Sequence, residues 1–140
     1  MTISSIVVGI SGNERESTKI AIAVEYARAF DARLTFLHVN DPQAGSLSIA
    51  SIEQGLRFSP EVLERYVRQR MADPLPAETS FRVRDGEWID QLTDCTRDHE
   101  LLILGHQHLN WLQAAVADAQ DEIVVNRADC PVLVVPDKLE

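Results

Sequence analysis

Two imidazoles one residue apart, His106 and His108, follow directly on Gly105 in the turn His106-Gln107-His108-Leu109-Asn110. Such a pair offers zinc two ligands, and His38 or His99 would have to complete a tetrahedral set of about four. A solvated or hydrogen-bonded turn needs no such partners, so no metal is expected. His99 falls where a helical pattern ends and a partial positive charge is favourable, whereas His38 lies in an apolar, strand-like run. Ser11 could meet His106 as nucleophile and base. Hydrolysis also needs an orienting group and a strained Gly-x-Ser-x-Gly elbow, which the sequence lacks. No catalytic residue is therefore expected. Asp118, Asp121 and Glu122 read as a solvated helix face. Trp88 reads as a core anchor and Trp111 as a partly exposed residue near the turn; either could stack on a ligand base. Cys95 and Cys130 match no metal or redox spacing and read as small buried hydrophobes.

The elements that must position these residues alternate. Leu101-Leu102-Ile103-Leu104 is a short apolar strand that breaks at Gly105. A helix with Leu112, Ala115, Val116, Ala119 and Ile123 at helical spacing then leads to Asp129-Cys130-Pro131 and the strand Val132-Leu133-Val134-Val135. Strand, turn, helix and strand in about 35 residues form a βαβ unit whose parallel strands need burial. The first such unit starts with Ile3 to Ile10, turns at Ser11-Gly12-Asn13 and continues into a helix. Asn13 and Glu16 resemble a capping box there, with Glu16 reaching back to a backbone N–H. Ile20, Ala23, Val24, Ala27 and Phe30 form the buried stripe, and after the break at Asp31-Ala32 comes the strand Leu34 to Val39.

Residues 40–58 have no sustained periodicity and read as an ordered surface loop or a lid. Ser59-Pro60-Glu61 opens the next helix, with Val62, Leu63, Tyr66, Val67 and Met71 on its apolar side and Pro74 and Pro76 as stops. Glu78 to Arg84 alternates Thr79, Phe81 and Val83 against Ser80, Arg82 and Arg84, as an edge strand with one partly wet face does. Asp85-Gly86 turns into a helix carrying Trp88, Ile89, Leu92 and Cys95. Five strands and four helices in alternation predict an α/β fold, an open parallel sheet covered on both faces.

A chain of 140 residues without repeat or linker is expected to form one domain, burying about 70% of its unfolded surface. No apolar run approaches the roughly 18 residues of a membrane span, and residues 1–10 read as a strand rather than a secretory signal. A cytoplasmic location is the expectation. The formal net charge of −9 and the scattered basic residues disfavour nucleic acid and anionic membrane surfaces as partners.

These stretches together resemble the universal stress protein family: the Gly12 turn and long helix, Leu34 to Val39, Leu101 to Gly105, and Cys130-Pro131-Val132-Leu133-Val134-Val135-Pro136. The likeness spans essentially the whole chain and implies one domain over 1–140. It also implies a Rossmann-like, adenine nucleotide alpha hydrolase-like sheet in the order 3-2-1-4-5, usually as a dimer. Many members bind ATP. In open sheets ligands sit beyond the carboxyl ends of the strands at the switch point, so this order should bring the Ser11 and Gly105 turns to one crevice.

ATP-binding members carry glycine, two residues, glycine, nine residues, then glycine followed by a hydroxyl residue, and backbone N–H groups there approach phosphate. Aligned on Gly105, the later positions are His108, Asp118 and Ala119. The first-strand acid of those members is replaced by Ser11, and Val39 falls at the end of the second strand of the same degenerate nucleotide site. His108 obstructs close approach, Ala119 offers no hydroxyl, and Asp118 sets a negative charge near phosphate. Two like charges 4 Å apart at an effective dielectric of about 20 cost about 4 kcal/mol, roughly three powers of ten in affinity.

The Gly-His turn and the helix after it are instead similar to the universal stress protein A subclass, whose members are regarded as not binding ATP. The resemblance thus implies a cytoplasmic stress-response dimer that acts on other macromolecules, with no cofactor and no turnover. The competing expectation is a nucleotide-binding switch with a variant phosphate loop. A less favoured one is a metal or small-anion module built on the histidine turn. In the implied order Val132, Leu133, Val134 and Val135 form an edge strand, and pairing with a second copy through it is expected.

Overall fold

The computed structural model describes residues 3–12, 16–40, 58–71, 73–105 and 129–135. Five parallel strands, β1 (Ser5–Gly9), β2 (Arg33–Asn40), β3 (Thr79–Asp85), β4 (Leu101–Gly105) and β5 (Val132–Val135), form one sheet in the order β3-β2-β1-β4-β5. The three helices of the described residues are α1 (Ser17–Phe30), α2 (Pro60–Gln69) and α3 (Trp88–Cys95), the last followed by a 3-10 turn over Thr96–Asp98. The fourth helix expected after Gly105 lies outside the described residues, as do His106, His108, Trp111, Asp118, Ala119, Asp121 and Glu122. So do 41–57, the bulk of the expected loop or lid, and the side chains of Trp88 and Ile89.

Strand alternation sorts the core into two layers. Ile6, Val8, Leu34, Phe36, Leu101 and Ile103 meet α1 and α2 through Ile20, Val24, Leu63 and Val67. Val7, Leu37, Leu102 and Leu104 point to the other face and pack with Leu92 and Cys95 of α3. Helices therefore cover both faces, and every residue of β1 and β4 is buried, as central parallel strands require. On β3, Phe81 and Val83 turn toward the α1–α2 layer while Ser80 and Arg82 are exposed, the wet edge that its alternation predicts.

The helix boundaries differ in three ways from the sequence reading. Ser59 Oγ accepts the Val62 N–H at 3.2 Å, as a capping serine should, but α2 ends at Gln69, before Met71. α1 begins only at Ser17, and the Glu16 side chain, which does reach back, accepts the N–H groups of Ser11 and Gly12. Asn13 lies outside the described residues. Phe30 is not in the core: at 38% exposure it meets Tyr26 edge-on on the outer side of α1. It is the last helical residue, beside the left-handed Asp31 at φ 53°, where the chain turns so that the Ala32 N–H reaches the Ala27 carbonyl at 2.8 Å.

Candidate functional site

β1 lies between β2 and β4 in the sheet, and crossovers on its two sides lead in opposite directions. The carboxyl end of β1 is thus the switch point of an open α/β sheet, the place where such folds hold ligands. Ser11 and Gly12 form the turn leaving it. Their two N–H groups converge on one carboxylate: Ser11 N donates to Glu16 Oε2 and Gly12 N to Glu16 Oε1, each at 2.9 Å. The Tyr66 hydroxyl of α2 donates to Oε1 as well. Lys19, one turn into α1, donates to Glu16 Oε2 at 2.6 Å and to the Gly9 carbonyl at 2.5 Å.

Glu16 is 3% exposed and Lys19 4%, so the ion pair is dehydrated. Burying two charges costs several kcal/mol per ion unless hydrogen bonds satisfy what the pair leaves over. Here two amides, a hydroxyl and a carbonyl do so. Lys19 also lies beside the carboxyl end of β4: a Cβ on Gly105 would lie 3.4 Å from Nζ, an ordinary contact, so the ammonium stands between the ends of β1 and β4.

Aromatic rings adjoin this pair. The His38 imidazole donates its Nδ1–H to the Ile10 carbonyl at 2.8 Å, and the Phe58 ring lies on it with centroids 4.0 Å apart. Phe58 meets Tyr66 edge-on at 5.6 Å. Its backbone is clasped by Asn40, whose Nδ2 donates to the Phe58 carbonyl at 3.1 Å and whose Oδ1 accepts the Phe58 N–H at 3.3 Å. Gly12 adopts φ +90°, and a Cβ there would stand 3.0 Å from the Phe58 ring, so glycine answers both the backbone conformation and the close approach.

Burial holds the His38 imidazole below its ordinary value of 6.5, against the raising effects of the Ile10 hydrogen bond, the Glu16 charge and the Asn40 side chain. The folded ring binds a proton more weakly than the unfolded one. Its contribution to stability is therefore complete above 6.5 and is lost as pH falls through the lower folded value. Unfolding by urea at about pH 7.5 and about pH 5 should show wild type losing more stability on acidification than His38→Gln. Equal losses would place His38 outside the buried layer.

Of the sequence-derived site residues, Ser11 is hydrogen-bonded to Glu16, whose partner Lys19 lies beside Gly105, and Val39 packs, partly buried, against the α3 layer. His108, Asp118 and Ala119 are not placed. His99 donates its Nδ1–H to the carbonyl of Cys95 at the end of α3, as its position suggested. Cys95 is buried and Cys130 half-buried against the same layer, and burial pushes the Cys130 thiol up to about 11. Among the described residues no cluster of three or more His, Cys, Asp or Glu could hold a metal, and no helix is long and apolar enough to cross a membrane.

Sequence reasoning missed Lys19, Phe58 and the role of Glu16. A signal existed for one of them: Lys19 stands one position before Ile20 and four before Ala23, inside the sheet-facing stripe, where a charge has to be paired.

A doubly wound sheet with a polar switch-point crevice defines a class that comparison narrows. The universal stress protein family model matches residues 2–136, and the chain belongs to that family. Universal stress protein D of Escherichia coli K12 is 26% identical over 149 aligned residues, covering 97% of each chain. Among solved structures, a universal stress protein in complex with cAMP superposes with TM-score 0.67 at 19% identity, over 99% of this chain and 100% of that one. Universal stress protein UspA from Lactobacillus plantarum gives TM-score 0.66 at 20% identity, over 96% and 99%.

Proposed function

We propose that this universal stress protein works as a cytoplasmic homodimer that does not bind ATP and acts by contact with other macromolecules rather than by turnover. The observation that carries this reading is the Glu16–Lys19 pair. The amides at the end of β1 and the buried ammonium beside Gly105 are engaged by a carboxylate of the chain itself. A triphosphate brought to this crevice would meet that negative charge at close range, which opposes binding on top of the effects of His108, Asp118 and Ala119. That charge supports the reading without ATP. The finer placement in the A subclass rests on the Gly105-His106 turn and the helix after it. A second reading, a nucleotide-binding switch with a variant phosphate loop, draws support from the cAMP complex of a protein of similar fold.

Assembly is proposed through β5. The strand stands at the end of the sheet order, and its Val134 is 36% exposed while Val135 is buried. An apolar edge of this kind invites pairing with a second copy about a two-fold axis. Val134→Lys would put two ammonium groups at such an interface. Sedimentation of wild type should give a dimer and that of Val134→Lys a monomer; a monomeric wild type would contradict the proposed assembly.

A further inference from the structure

The group that holds Glu16 is built as a receptor for an anion. Two backbone N–H groups, a buried ammonium and a phenolic hydroxyl converge on one carboxylate. The amides are not the unpaired donors of a helix end, since α1 starts at Ser17 and the donors belong to Ser11 and Gly12. Successive N–H groups in a turn with one left-handed residue, here Gly12 at φ +90°, form a concavity that binds anions. An anion is in fact bound there, 3% exposed, and it is attached to the chain.

We propose that the Ser11–Gly12–Lys19–Tyr66 cradle is an oxyanion site of the phosphate class, kept shut by Glu16 as a tethered competitor. This deepens the reading that wild type refuses ATP and supplies the contact responsible. A tethered group competes at an effective concentration of millimolar or more. A free oxyanion must exceed that before it displaces Glu16. With the carboxylate removed, the same donors face an uncompensated Lys19 charge, and a phosphate oxygen set matches them in sign and number.

The test titrates inorganic phosphate into wild type and Glu16→Ala at constant ionic strength, by calorimetry and by thermal unfolding. Glu16→Ala should bind phosphate at least ten-fold more tightly than wild type and gain Tm in phosphate but not in chloride. Should Glu16→Ala fail to fold, Glu16→Gln takes its place, because a neutral amide competes less well, and the same ten-fold gain is expected. Adding Lys19→Met to either variant should abolish the gain. Phosphate affinity in the folded variant no higher than in wild type overturns the proposal, as does a gain that survives Lys19→Met. Wild type titrated with ATP separates the two ideas: ATP binding defeats the functional reading, whereas its absence together with no phosphate gain in the variant defeats only the cradle.

Discussion

Glu16→Ala is expected to lower the free energy of unfolding by about 3–5 kcal/mol in phosphate-free buffer, because breaking a buried ion pair strands its partner. The residue left behind is Lys19, 4% exposed, whose remaining contact among those described is the Gly9 carbonyl. Ser11 and Gly12 lose the acceptor of their N–H groups in the same step, and Tyr66 loses one acceptor of its hydroxyl. The double variant Glu16→Gln/Lys19→Met should recover much of that loss, since replacing both members of a buried pair by uncharged groups of similar volume is often neutral. Urea unfolding of wild type, Glu16→Gln, Lys19→Met and the double variant gives the coupling directly. A change of less than about 1 kcal/mol in Glu16→Ala would mean that the pair is solvated, as exposed pairs are.

Phe36→Ala should cost a similar amount for a different reason. Phe36 is fully buried on β2 and stacks on Phe81 of β3, with centroids 5.7 Å apart and planes 15° from parallel. Its removal takes the apolar surface out of the core and leaves a cavity that a close-packed sheet collapses only in part, at about 3–5 kcal/mol for a phenylalanine. Phe30→Ala is the internal control. At 38% exposure on the outer side of α1 it should stay within about 0.5 kcal/mol of wild type. Equal losses at the two positions would put Phe30 back in the buried stripe where helical spacing had placed it.

That contrast marks what spacing reveals. Phe36 was legible because it sits in a mostly apolar run, Leu34 to Val39, and such a run in an alternating α/β chain reads as a strand buried on both faces. The sheet order was legible through family resemblance, and the wet alternation of β3 agreed with an edge. Phe30 was misplaced because periodicity does not register that a helix is about to end, and its last turn had already left the sheet. A charge inside the sheet-facing stripe was a signal for Lys19, but its pairing with Glu16 was not legible, for another reason. Their meaning lies in a contact between a turn, the first turn of α1 and a tyrosine 50 residues further on, and no local pattern encodes that meeting. The sequence drew attention to Gly105 and the residues after it, while the placed part of the crevice is dominated by the opposite wall, at Ser11 and Gly12.

The same geometry gives the proposed function its physical basis. A crevice whose amides and ammonium already hold a carboxylate offers an incoming phosphate competition rather than unfilled donors. In the proposed reading nucleotide does not bind, so the proposed assembly through β5, whose Val135 pairs in register with Gly105 of β4, does not respond to it. Sedimentation with and without nucleotide should accordingly give one and the same oligomeric state.

The most direct test of the account is calorimetric titration of the wild-type chain with ATP and magnesium at low ionic strength. The account predicts no saturable heat below millimolar nucleotide; a saturable isotherm with a Kd in the low micromolar range would contradict it.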